Sequence, residues 1–213
     1  MNFELSDEVR QIRDTFARYV DARLVPCAAE IDEAHAFPRE AFDDIGALGF
    51  FRMLYPEDSG GLGLGMVPYC LAVEELARGS MSVAGCVSMQ SLMATHFLNE
   101  LGNDDIKRRL FEPALDGKKI GAICMTEPNA GSDLANVRSK ARRVEGGWRL
   151  TGQKTWCSRG AWADWMFCIV RTDPDSERHR GPSYLLVPSY SPGRERRPAG
   201  RLDGEPAFAE LFF

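Results

Sequence analysis

The 213-residue chain has no long hydrophobic run. Its longest apolar stretches, Trp165 to Val170 and Tyr184 to Pro188, fall far short of the roughly 20 residues that cross a bilayer. It has no excess of positive charge: 26 basic against 31 acidic residues give a formal net charge of -5, which offers little to nucleic acid or to an anionic membrane. It lacks a Cys-x-x-Cys pair and any histidine at ligand spacing, so neither a disulfide framework nor a zinc site is indicated. Cys27, Cys70, Cys86, Cys124, Cys157 and Cys168 read as small buried hydrophobes in a reducing compartment, and His35, His96 and His179 stand isolated. The N-terminus carries acidic residues where a signal peptide needs a basic start and an apolar stretch. The expectation is a cytoplasmic protein without a membrane span, a metal or a nucleic-acid partner.

No G-x-G-x-x-G fingerprint or P-loop is present. The glycine-rich "GGLGLG" at Gly60 to Gly65 has the wrong spacing, no evident strand before it and no lysine after it, so it reads as a turn between helices. The charged "RTDPDSERHRG" stretch mixes its signs and reads as a solvated hairpin tip.

What is present is a change of period. From Ser6 onward the pattern is helical: Ser6 caps a helix opening on Asp7 and Glu8, and Val9, Ile12, Phe16 and Val20 share one face. Pro38 suits the start of a helix carrying Phe42, Ile45 and Leu48, and Gly49 suits its exit. Further helices fit Pro68 to Arg78, Ser82 to Leu101 and Asp104 to Leu115; the second is apolar or small nearly all round and reads as a buried central helix. After Gly117 come short runs rich in β-branched and aromatic residues, separated by turn signals such as "EGG" and "SPG". The expectation is an α+β chain, with a helical domain over 1–118 and an antiparallel β domain over 119–213.

Two stretches of the second half suggest a site. In "CMTEPNAGSDL" (Cys124 to Leu134) Pro128 pushes Glu127 into an extended conformation, and Gly131 is expected to let the backbone turn. Ala130, Gly131 and Ser132 leave amides and a hydroxyl unshielded for a carbonyl-rich or phosphorylated ligand. In "GGWRLTGQKTWCSRG" a hairpin turn at Gly152 is expected to bring Trp156 and Ser158 onto a strand, where a flat indole beside hydroxyls suits an aromatic ligand.

Taken together, "CMTEPNAGSD" followed by "LTGQKTWCS" resembles the paired signature of the flavin-dependent acyl-CoA dehydrogenases. The resemblance runs through "FP", "LGFF" and "YPEDSGG" in the helical half to "RLDGEPAFAELFF" at the end of the other. It implies an N-terminal helical domain, a middle β-barrel or sandwich domain and, in the complete enzyme, a C-terminal four-helix bundle. It also implies FAD as cofactor: backbone groups around Ile123 and Met125, with Thr126, hold the flavin pyrimidine. Gly131 and Ser132 lie near the pyrophosphate, Ser132 also near the pantetheine arm of the substrate, and Trp156, Cys157 and Ser158 lie against the isoalloxazine. Ser158 stands where threonine is often found, Ile123 where an aromatic is frequent, and Arg159 where a smaller polar residue is usual.

The activity so implied is α,β-dehydrogenation of an acyl-CoA, in which a glutamate takes the α proton and the flavin takes the β hydrogen as hydride. In the family that glutamate sits in the C-terminal bundle, so no catalytic residue is assigned to this chain, and Glu127 belongs to the flavin loop. The chain alone is expected to bind flavin weakly and to be inactive. The complete protein is expected to be a homo-oligomer, dimer or tetramer, that passes electrons to an electron-transfer flavoprotein or a similar acceptor. Two alternatives stand beside this: a flavin-dependent monooxygenase on the same fold, and a catalytically empty assembly module. The acyl pocket would draw on Met89, Gln90 and Met93, and Arg194 and Arg196 imply either an edge strand or a region less ordered than in a complete enzyme, because an unpaired buried arginine is costly.

Overall fold

The computed structural model describes residues 4 to 200 and 206 to 213, so the "RLDGE" part of the last resemblance lies outside the described residues. The chain divides into two compact units, Met1–Lys119 and Ile120–Phe213.

The first unit is all helical. Helix α1 (Asp7–Tyr19) starts where Ser6 accepts a hydrogen bond from the Val9 amide at 3.3 Å, as its sequence predicts. A π turn (Val20–Leu24) joins it to α2 (Val25–Glu33); α3 (Arg39–Ala47) follows Pro38 and ends at Gly49, whose φ of 85° opens the left-handed exit. Leu48, expected on the buried face of α3, is instead exposed beyond its last turn. Then come α4 (Met66–Gly79), α5 (Met81–Met89), a π turn (Gln90–Ala94) and α6 (His96–Leu101). The unit closes with α7 (Asp104–Ile106), a π turn (Lys107–Phe111) and α8 (Glu112–Leu115). Its core is aromatic: Phe42 packs on Phe51 at 4.7 Å between ring centroids, Phe50 on Tyr69 at 5.0 Å and on Phe16 at 5.8 Å. Burying each such ring contributes about 2 to 3 kcal/mol.

The helix spanning α5 and α6 buries one face, with Val83, Ala84, Val87, Ser91, Ala94 and Leu98, and leaves Met81, Leu92 and Leu101 exposed. The expectation of burial all round therefore holds for one side only. The glycine-rich turn behaves as its spacing suggests: the amides of Gly61, Leu62, Gly63 and Leu64 bond to the carbonyls of Pro56, Arg52, Tyr55 and Met53, and so are not offered to a phosphate.

The second unit is built of strands. One sheet runs β1 (Gly121–Cys124), β5 (Trp165–Arg171), β2 (Lys140–Val144), β3 (Gly147–Thr151), with β6 (Pro182–Pro188) also paired to β5. The other runs β4 (Gln153–Ser158), β8 (Pro206–Phe212), β7 (Glu195–Gly200). The pairs β2–β3, β5–β6, β4–β8 and β7–β8 are antiparallel, but β1 lies parallel to β5, with Cys124 beside Cys168. An alternating pattern does not record strand direction, which is set by how far the chain travels before it pairs.

The turn within "GGWRLTGQK" also differs from expectation. The hairpin closes earlier, at Glu145 and Gly146, and Gly152 is a corner where the chain leaves the first sheet for the second. Its φ is 152°, and a Cβ there would lie 2.3 Å from Ser139 Oγ, so only glycine fits. "RTDPDSERHRG" is the tip of the β5–β6 hairpin, and β7 is an edge strand. Arg196 there donates to the carbonyl of Gly160 at 3.2 Å, and Arg194 lies within 3.6 Å of Met166 Sδ.

Candidate functional site

Strand β1 enters the core through Gly121, Ala122 and Cys124, then emerges at the half-buried Met125 and Thr126. Glu127 to Ala130 then close a tight turn, with Glu127 N donating to Ala130 O at 2.9 Å and Ala130 N to Glu127 O at 3.1 Å. Pro128 supplies the fixed φ that such a turn uses at its first corner. Gly131 is therefore not the hinge it was expected to be. It has no positive φ, and a Cβ built on it would meet nothing within 4 Å, so its lack of a side chain is a matter of open space beside the backbone. Ser132 is exposed beside it.

The second stretch meets the first through two contacts. Thr155 N donates to Thr126 O at 2.9 Å. Lys154, fully buried, reaches both Met125 O at 3.0 Å and Glu127 Oε1 at 2.9 Å. The Glu127 carboxylate also accepts from the amides of Arg138 at 2.7 Å and Ser139 at 2.9 Å. Burial by itself pushes the Glu127 carboxyl up, but Lys154 and the two amides outweigh it and hold the group below the ordinary glutamate range. Glu127 is thus a fixed anion tying loop to strand, and a poor proton acceptor. Lys154 had no signal of its own in the sequence, because its partner lies 27 positions away.

Strand β4 carries one residue too many against β8. Lys154 faces Leu211 and Cys157 faces Ala209, so Thr155 and Trp156 together span Glu210 in a β-bulge. Trp156 adopts a φ of 57°, a left-handed conformation that costs a non-glycine residue about 1 to 3 kcal/mol. The bulge re-aims the indole: it is 59% exposed and rests edge-on against Phe208 at 5.5 Å. Arg159 likewise has a φ of 59°. Ser158 is half-buried, whereas the Cys157 side chain points into the core with Cys124 and Cys168. Cys157 can therefore offer a ligand only its backbone. The Cys124 thiol is pushed well up by its hydrogen bonds with Cys157 and Cys168 and by burial, so it stays a thiol at neutral pH.

The structure thus joins Met125 and Thr126 to the strand of Trp156 and Ser158, with Gly131 and Ser132 exposed on the adjoining loop. Among the described residues, the hydroxyls of Thr126, Ser132 and Ser158 make no hydrogen bond to another residue. Ile123 is half-buried in β1 opposite Phe167. An exposed indole on a strained bulge, donors without protein partners and an open backbone beside Gly131 fit a planar, polar, phosphorylated cofactor such as FAD. Among the described residues no cluster of His, Cys, Asp or Glu could hold a metal ion, and no helix is long and apolar enough to cross a membrane.

Comparison with known proteins decides the family. Residues 6–118 match the acyl-CoA dehydrogenase N-terminal domain and residues 122–213 the acyl-CoA dehydrogenase middle domain. The chain belongs to the acyl-CoA dehydrogenase family. Among its relatives is the benzylmalonyl-CoA dehydrogenase of Aromatoleum aromaticum, 53% identical over 92% of the chain and 52% of the relative. A solved glutaryl-CoA dehydrogenase in complex with glutaryl-CoA superposes with a TM-score of 0.91 at 30% identity, over 100% of this chain and 55% of that one. PigA with FAD and proline superposes with a TM-score of 0.90 at 26% identity, over 100% and 56%. The chain spans about half the length of the curated relatives it matches.

Proposed function

We propose that this chain supplies one wall of the flavin site in an FAD-dependent acyl-CoA dehydrogenase that introduces an α,β double bond into a CoA thioester. The observation that carries the reading is the joint between the two signature stretches, Lys154 with Glu127 and Thr155 with Thr126, which ties the strand of the exposed Trp156 to the loop that leads to Gly131 and Ser132. When bound, FAD would accept the β hydrogen as hydride. Backbone around Ile123 and Met125, with the Thr126 hydroxyl, would hold its pyrimidine edge. Trp156 would cover its ring with Ser158 and the Cys157 backbone alongside, and Gly131 and Ser132 would admit its pyrophosphate. Ser132 would also face the thioester's pantetheine arm.

The general base is a separate matter. Glu127 accepts three hydrogen bonds in a buried ion pair and has a lowered pKa, the opposite of the raised value that suits a carboxylate base working near neutral pH. The family resemblance implies instead a glutamate base in the C-terminal helical domain. The relative from Aromatoleum aromaticum points to a CoA thioester whose acyl part carries both an aromatic ring and a carboxylate. An electron-transfer flavoprotein would take the electrons, and the complete protein would be a homo-oligomer in the cytoplasm.

The test is to add FAD and a panel of acyl-CoAs, including benzylmalonyl-CoA, to the 213-residue chain, with and without a C-terminal acyl-CoA dehydrogenase domain, and to follow flavin absorbance. Bleaching by an acyl-CoA only when that domain is present supports the reading. Bleaching by the chain alone overturns the placement of the base. A second reading draws on PigA, which shares the fold and was solved with proline, a ligand that is not a thioester; a panel in which no acyl-CoA bleaches the reconstituted flavin favours it.

A further inference from the structure

The segment from Arg138 to Arg149 carries Arg138, Lys140, Arg142, Arg143 and Arg149 with Glu145 as its only carboxylate, in a chain whose net charge is -5. A solvated strand face would account for exposed cations, but not for how these are paired. Arg142 stands directly opposite Arg149 on β3, and Lys140 stands beside Arg171 on β5. Like charges facing each other across a ladder are destabilising, so sheet stability does not explain the arrangement. Among the described residues, Arg138, Lys140, Arg142 and Arg149 form no ion pair with the chain.

Beside this face lies a cleft of about 700 Å³, lined by Arg138, Lys140, Arg142, Arg143, Arg171 and Thr172, with no aspartate or glutamate in its wall. Its size falls in the range of small-molecule sites. Two of its guanidinium groups are held in advance. Arg143 stacks on Trp148 at 5.4 Å, and Arg171 donates from Nε to Val137 O at 3.4 Å, from Nη1 to Ser176 O at 3.2 Å and from Nη2 to Ala135 O at 2.8 Å. Guanidinium groups held in place beside the unpaired cations of Arg138, Lys140 and Arg142 suit the tetrahedral oxygens of a phosphate.

We propose that this cleft beside β2 and the end of β5 binds the phosphates of a nucleotide-bearing ligand, which in the dehydrogenase reading is the phosphorylated CoA end of the substrate. That identification of the ligand rests on the proposed function; the anion site itself rests on the cleft and its cations.

The experiment is calorimetric titration of the 213-residue chain and of the Lys140→Ser/Arg142→Ser double variant with CoA, ATP and inorganic pyrophosphate, at low and high salt. FAD loading is measured on the same samples with and without an added C-terminal acyl-CoA dehydrogenase domain. Both substituted side chains are exposed and lie outside the flavin-facing residues, so the variant is expected to fold and to load FAD as the parent does. CoA should bind the parent, pyrophosphate should compete, and the double variant should bind about tenfold more weakly, with high salt narrowing the difference. Binding of CoA well above ATP assigns the site to the CoA tail, and equal binding assigns it to nucleotides at large. Equal CoA affinity in parent and variant overturns the proposal, as does failure of pyrophosphate to compete. Loss of anion binding in the variant, beside FAD loading that stays absent in both even with a C-terminal acyl-CoA dehydrogenase domain added, would sink the flavin reading and leave the cleft standing.

Discussion

Glu127 shows how a residue's surroundings decide its role. A carboxylate in a loop before a cofactor site invites a catalytic reading, yet the Lys154 ammonium and two backbone amides stabilise its charged form and make it an anchor. Lys154→Met leaves that carboxylate buried without its cation and should lower stability by about 3 to 5 kcal/mol, read from urea denaturation at neutral pH. The pH dependence follows from the lowered pKa. The carboxylate's contribution is complete above the ordinary glutamate value of about 4.3 and is lost as pH falls through the lower value of the folded state. The stability gap between the parent and Glu127→Gln should therefore be wide at pH 7 and close progressively below about pH 4. Gly131 gives the complementary case. Since a methyl group there meets nothing within 4 Å and no positive φ is involved, Gly131→Ala should leave the melting temperature unchanged while weakening FAD retention. An unaltered FAD affinity would count against the approach of a cofactor at that point.

At the scale of elements, both units place irregularities inside regular structure. In the π turn at Gln90–Ala94 the Thr95 amide bonds back to Gln90 O at 3.1 Å, so it does not serve Ser91 O. That carbonyl is taken up by the Thr95 hydroxyl at 2.9 Å and the Tyr55 hydroxyl at 2.5 Å, both buried. Tyr55→Phe removes one of these donors and should cost about 1 kcal/mol, measured by thermal unfolding. The Gly152 corner is less forgiving. Gly152→Ala brings a Cβ onto Ser139 and forces an alanine into a glycine-only conformation. It should destabilise by more than about 2 kcal/mol and disturb the register of β4, and so the setting of Trp156. Neither feature was legible in the sequence. The helical period runs through "VSMQSLMATHF" without a break, and a glycine between two strand-like runs reads equally as hairpin or corner until the partner strands are known.

For the whole molecule, the chain spans about half the length of its relatives, and the function proposed above places the reaction's base in the C-terminal helical domain of the family. FAD bleaching by acyl-CoA should therefore depend on an added C-terminal domain, with the rate at least a hundredfold lower in its absence, the scale on which general bases act. What the sequence determined by itself was local or modular. It showed the switch from helical to strand period near Gly117, the Ser6 cap, the glycine turn over Gly60 to Gly65, and the two signature stretches that resemble an acyl-CoA dehydrogenase. These follow from side-chain pattern and backbone preference within a few residues. What only the tertiary structure decided was the parallel pairing of β1 with β5, the bulge that turns Trp156 outward while Cys157 turns in, and the Lys154 to Glu127 bond across 27 positions. Each depends on which distant segments meet. Pairing direction, register and buried charge partners are properties of that meeting, and no single stretch of residues encodes them.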